Sequence, residues 1–263
     1  MDGAAVLAVG ALEAGGGGGL PADLKTFESL GVAGTCVATA VAVQDGPALT
    51  VVHDLPLPAV REQLRAGRDA PPPRVVKIGL VTTVPIIRLL AEELSVLAVP
   101  AVIDPEMTGN GESRLLRATS LHAFVRDLLP AATVLTPNLA EASVLAGFAI
   151  RDEADAKRAA RTVQQLGPQA VLITGGQAEG SEIIDGLLDG RTWTTYRHPR
   201  LGARHQHGVG ATLSAALAAY LALGETLPDA VRKAVGYTHR ALAASPGLAA
   251  GRGPLGHREA GAG

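Results

Sequence analysis

The sequence predicts an α/β fold in which a mostly parallel central sheet carries helices on both faces. Three observations predict it. Short runs such as "AAVLAVG", "VVKIGLV" and "AVLITGG" are apolar without alternation, the pattern of strands covered on both sides. Between such runs lie segments of helical length, "PAVREQLRAG" among them, with apolar residues at helical spacing. Glycine and proline punctuate the joints, as in "DAPPPR". At 263 residues and 47% hydrophobic, the chain can bury one large core.

The elements follow in order. "AAVLAVG" is a strand ending at Gly10, "EAGGGGGLPAD" a loop, and "DLKTFESLG" a helix closed by Gly31. "TCVATAVAVQ" is a β-branched strand ending at Gln44. The helix "PAVREQLRAG", the bend "DAPPPR", the strand "VVKIGLV" and the helix "TVPIIRLLAEELSVLA" come next. The beat continues with strand "PAVID", helix "LHAFVRDLLPAA", strand "TVLTPN" and helix "LAEASVLAG". A helix over 153–167 leads to the strand "AVLITGG". "SEIIDGLL" and "TWTTYRH" then adjoin with no helix between them, which predicts an antiparallel edge on the parallel sheet. Helices over 211–224 and 228–245 finish the fold. Residues 1–250 read as a single domain and 251–263 as a Gly-rich tail, loose at its end.

Composition excludes several classes of function. The net charge of −2 leaves no electrostatic footprint for nucleic acid, and 3% aromatic residues leave few platforms for stacking bases. The single cysteine, Cys36, excludes a disulfide framework and a cysteine-rich zinc site; within "GTCVATAVAV" it reads as a small buried hydrophobe. No run reaches the ~18 apolar residues of a membrane span. The start "MDGAAVLAVG" lacks a basic leader, so a soluble, cytoplasmic protein with no membrane or nucleic-acid partner is expected.

Open sheets of this kind bind ligands beyond the C-terminal ends of their strands. That rule picks out Gly10–Gly19, Gln44, Asp104–Gly111, Thr136–Glu141, Thr174–Gln177 and the 204–212 turn. The glycine run 15–19 fits neither the dinucleotide fingerprint nor the P-loop, and reads as a substrate-side loop that needs close backbone approach. Asn138 and Glu141 are three apart, the spacing of a capping box, and a carboxylate there can also bind a hydrated Mg²⁺. Asp104 ends an apolar strand, where Asp-Pro serves either as a turn or as a functional carboxylate. In "RHQHGVGATLSAALAAYLALG" a glycine pair runs into an apolar helix, a layout that presents N–H groups to an anion. Its first turn, however, carries Ala211. The seven histidines show no metal spacing, and His205 and His207 read as loop residues.

In order along nearly the whole chain, "GLPADLKTFESLGVAGTCVATAVAVQ", "VVKIGL", "VIDPEM", "LTPNLAEA", "VLITGG" and "HGVGATLSAALAAYLA" resemble the hydroxymethylpyrimidine/phosphomethylpyrimidine kinases of thiamine biosynthesis. "GRGPLGH" resembles that family's C-terminus. The resemblance implies the three-layer ribokinase-like fold, a homodimer, and ATP- and Mg²⁺-dependent phosphoryl transfer to a small pyrimidine. By residue, it implies an anion hole at Gly208 and Gly210, and acceptor contacts from Ala11, Glu13, Gln44 and Glu106. It implies nucleotide contacts from Asn138, Thr174, Gly176 and His207, and a metal held by Asp104 and Glu141.

The chain departs from that family at several of these positions. Ala211 stands where the family has cysteine, Thr174 and Asn110 where it has lysines, and Glu106 where it has an apolar residue. Ala11, Leu12 and Glu13 replace Gly-Ser-Asp. Alanine can neither accept a hydroxyl proton nor make a charged contact. Each lost lysine contact to a transferring phosphate costs roughly 2–4 kcal/mol. Two readings follow: a kinase with altered or weakened catalysis, or an inactive paralogue that binds a pyrimidine or nucleotide as a regulator or carrier.

Overall fold

A computed structural model describes residues 3–45, 48–69, 71–107, 116, 118–202, 207–246 and 253–261. The apolar runs become β1 (Ala5–Glu13), β2 (Ala33–Asp45), β4 (Val75–Ile78), β5 (Ala101–Ile103), β6 (Val134–Leu135) and β7 (Ala170–Ile173). These six pair in parallel in the order β2-β1-β4-β5-β6-β7. Antiparallel strands extend both edges: β3 (Ala48–Asp54) beside β2, and β8 (Glu182–Asp189) with β9 (Thr192–Pro199) beyond β7.

The lack of alternation in the strands has a simple cause: both faces are buried. Leu7, Val9, Val76, Ile78, Ala101 and Ile103 face one core. That core is closed by α2 (Leu57–Asp69), α3 (Val84–Leu97), α5 (Leu139–Ala146), α6 (Glu153–Gln164) and the helical stretch from α4 (Ala118–Ala123) through a π turn, Phe124–Leu128. Val6, Ala8, Val75, Val102 and Leu172 face the other core. There they meet α1 (Gly19–Ser29), α7 (Val209–Ala222), α8 (Leu227–Ala243) and α9 (His257–Gly261). Among the described residues, no helix is long and apolar enough to cross a membrane.

Three sequence expectations are corrected. The stretch after Gln44 holds β3, paired antiparallel with β2 from Ala40↔Asp54 to Asp45↔Ala48. The first strand continues past Gly10 to Glu13 through a bulge between Gly10 and Ala11, which redirects the side chains that follow. Cys36 is exposed rather than buried. It precedes the pairing with β3, so that half of β2 forms the edge of the sheet and has less cover.

Residues 253–261, in the Gly-rich tail, carry Leu255 and Ala260 into the second core. His257 is buried there, its Nε2 3.0 Å from Thr212 Oγ1 on the first turn of α7. Burial, with the charge of Lys25 adding to it, pushes the imidazole down to about 4. The unfolded chain protonates His257 near 6.5, so it binds more protons than the fold between these two values. Stability is therefore expected to fall by up to about 3 kcal/mol as pH drops from 6.5 to 4. His257→Gln should flatten this slope in urea-unfolding midpoints; an unchanged slope would rule out His257 as its source.

Candidate active site

The parallel strands end on one side of the sheet, and the segments marked out by the sequence gather there. The turn into α7 has the tightest backbone. Gly208 caps the helix with φ 82°, the left-handed region that favours glycine. A Cβ on Gly208 would lie 1.7 Å from the carbonyl oxygen of Gly17, so the glycine loop and the turn touch backbone to backbone. The first-turn N–H groups of α7 lack intrahelical partners, as at any helix start, and lie at its positive end. Ala211 is buried on this turn.

Asp104, just past β5, faces the same turn. Its Oδ2 is 3.1 Å from Ser214 Oγ, which also lies 3.0 Å from the Gly210 carbonyl and 3.1 Å from that of Ala211. Burial raises the Asp104 carboxyl above its ordinary value, against the opposing pull of Lys77 and Ser214. Glu141 ties neighbouring strand ends together. Its Oε1 accepts from Met107 N at 2.9 Å and its Oε2 from Asn138 N at 3.1 Å, while Asn138 Oδ1 accepts from Glu141 N at 3.0 Å. The capping box expected from the sequence is thus formed at the start of α5.

Asn138 also forms a parallel bridge with Thr174 at the end of β7, where Thr174 N donates to Pro137 O. Gly176 sits in the exposed turn beyond, its carbonyl held by Arg200 at 2.9 Å. His207 is not the free loop residue expected: its Nε2 lies 2.7 Å from Glu13 Oε2, and Glu13 itself is buried. This pair clamps the end of β1 to the α7 turn. Ala11 packs with Ala40, Ala42 and Leu80 in a small apolar cluster at the base of the β1–β3 extension. His205, Asn110 and the side chain of Gln44 lie outside the described residues.

A buried charge cluster beneath these strand ends is absent from the sequence reading. Lys77, on β4, is fully buried 3.0 Å from Asp23 of α1. Glu106, half-buried with φ 39°, brings its Oε1 over Gly79 beside Lys77 Nζ. Burial pushes Glu106 up to about 8; Lys77 opposes this, while Asp104, Asp23 and Glu141 add to it. A lysine inside the otherwise apolar run "VVKIGL" was the available signal, because an ammonium facing a core needs a buried anion.

A backbone anion cradle with carboxylates beside it and no acid or base on its first helical turn suits a group transfer that rests on positioning and charge neutralisation. A sequence profile described as phosphomethylpyrimidine kinase matches residues 13–256. The hydroxymethylpyrimidine/phosphomethylpyrimidine kinase of Rhizobium meliloti (strain 1021) is 40% identical over 257 residues, 97% of each chain. The pyridoxal kinase of Staphylococcus aureus, solved with AMP-PCP and pyridoxal, superposes with a TM-score of 0.90 at 30% identity, covering 98% of this chain and 94% of that one. The phosphomethylpyrimidine kinase of Clostridium difficile 630 superposes with a TM-score of 0.79 at 33% identity, covering 89% and 97%. With this match running from the end of β1 to Gly256, the chain belongs to the phosphomethylpyrimidine kinase family.

Proposed function

We propose that the chain transfers a phosphoryl group from ATP to hydroxymethylpyrimidine or its monophosphate. The observation that carries this reading is the α7 turn, where glycine backbone, helix N-terminus and the Asp104 carboxylate converge. Gly208 and Gly210 cradle the transferring phosphoryl group through backbone N–H groups. Asn138, Thr174, Gly176 and His207 border the nucleotide side. Glu13, Gln44, Glu106 and the Ala11 backbone border the acceptor side.

Asp104 and Glu141 are hard oxygen donors suited to Mg²⁺. Among the described residues, no group of three such side chains forms a closed cage. Two carboxylates nevertheless fit an ion that keeps its waters and shares phosphate oxygens. When bound, Mg²⁺ supplies charge neutralisation at the phosphates. Ala211 supplies no proton acceptor, so the chain's own contribution is orientation and the anion cradle.

Purified protein with ATP, Mg²⁺ and hydroxymethylpyrimidine is expected to release ADP at a rate above the ATPase background. No ADP above background, with hydroxymethylpyrimidine phosphate and pyridoxal equally inert, would favour the inactive carrier, the reading that Ala211 motivates. The homodimer implied by family resemblance would cover the exposed Leu12, Val43 and Val51 on the β1–β3 extension. Sedimentation velocity is expected to show a dimer that Val51→Lys weakens; a wild-type monomer would remove this assembly.

A further inference from the structure

The glycine run before α1 wraps two ionisable side chains. Gly17 and Gly18 are buried. A Cβ on Gly17 would lie 2.5 Å from His207 Cδ2, and one on Gly18 would lie 2.6 Å from Glu13 Oε2. The imidazole and the carboxylate are 2.7 Å apart, with 16% and 7% of their side chains exposed. Lys25 Nζ tethers the run from outside, donating to Gly16 O at 2.7 Å. Two helices begin at this pair. Gly18 is the N-cap of α1 and has no side-chain cap, so the Glu13 carboxylate beside it lies at the positive end of that helix. His207 directly precedes Gly208, the N-cap of α7. Glu13 Oε2 and His207 Nε2 are engaged with each other, so the pair acts on the site through the backbone it holds.

We propose that Glu13 and His207 are positioning residues: their hydrogen bond locks the start of α1 to the start of α7 and keeps the anion turn in its working shape. This rests on the phosphoryl-transfer reading above. Backbone donors stabilise a transferring phosphoryl group best when they are fixed beforehand and need no reorganisation during the reaction. Gly208 and Gly210 carry no side chain that packing could hold, and glycine backbone is the most mobile on its own. Their order must come from neighbours, and Gly17 is the neighbour whose carbonyl abuts Gly208. The imidazole seated against Gly17 and the carboxylate seated against Gly18 fix that contact. An ionised acceptor makes their hydrogen bond stronger than a neutral one.

Amide hydrogen exchange in the full chain tests the lock without requiring turnover. Ala22 N donates to Gly18 O at 3.4 Å and Thr212 N to Gly208 O at 2.8 Å, the first hydrogen bonds of α1 and α7. Glu13→Ala is expected to speed exchange at both amides together by about tenfold to a hundredfold, the range one hydrogen bond to a charged group spans. Val76, bonded to Pro100 O within the sheet, should keep its rate. Glu13→Gln, which retains an oxygen for the Nε2 proton, should recover most of the protection. In turnover, Glu13→Ala should lower kcat by about 10²-fold while acceptor KM stays within about threefold. Adding His207→Phe should cost less than about a further twofold, because the two residues act as one unit. Faster exchange at Ala22 alone, or at Val76 as well, would overturn the lock. So would wild-type Ala22 and Thr212 amides exchanging at unfolded-chain rates, a loss confined to acceptor KM, or multiplicative losses in the double variant. Absence of ADP release from the wild type would instead remove the phosphoryl-transfer reading, and the exchange rates would still decide the lock.

Discussion

Replacing Lys77 with alanine is expected to destabilise the fold by about 3–5 kcal/mol, the usual cost of breaking a buried ion pair from one side. Lys77 and Asp23 are both fully buried, with Nζ 3.0 and 3.1 Å from the two carboxylate oxygens. One ammonium faces the carboxyl groups of Asp23, Asp104 and Glu106. Burial alone would lower the Lys77 pKa, but these three acids outweigh it and hold Lys77 protonated, above its ordinary value. Burial in turn raises Asp23 to about 6 despite Lys77. Removing the ammonium leaves three acids crowded in low dielectric with nothing to offset them. Urea unfolding at pH 7 reads the loss as a lower midpoint at unchanged slope. A change under 1 kcal/mol would mean that the cluster is already neutralised by protonation. Lys77→Met with Asp23→Leu should recover much of the stability, because a packed apolar pair escapes the desolvation penalty.

Ala211→Cys is expected to raise kcat by about 10²–10⁴, the range a positioned proton acceptor contributes, with little change in KM. Position 211 lies on the first turn of α7, where the helix N-terminus stabilises a thiolate. Ala211→Ser is the control, since a hydroxyl of similar size is a far weaker base. Single-turnover rates with saturating acceptor separate this gain from product release. A kcat within twofold of the parent would mean that the acceptor proton leaves by a route independent of this position. A measurable rate in the variant, with none in the parent, would make the natural chain the inactive paralogue.

The fold was legible because burial on both faces writes itself directly into strand composition. "AVLAVG" and "AVLI" have no polar face to alternate with. The capping box at Asn138 and Glu141 was legible for a similar reason, being a local device contained in four residues. β3 was missed although Asp45-Gly46 between two β-branched runs is a hairpin signal, because the helix "PAVREQLRAG" was expected to follow directly. Cys36 was misjudged because an apolar neighbourhood in sequence says nothing about whether a strand has a partner on its outer edge.

Periodicity and motifs of a few residues suffice for the layered sheet, the strand-end segments and the family. Which of those residues meet is a matter of three-dimensional packing. Glu13 and His207 are 194 positions apart and form one hydrogen bond. Lys77 finds Asp23 across 54 residues, and Asp104 finds Ser214 across 110. Chain separation carries no record of such pairings: side-chain partners at the strand ends are set by how helices on opposite faces converge on one edge, a property of packing that no local stretch contains.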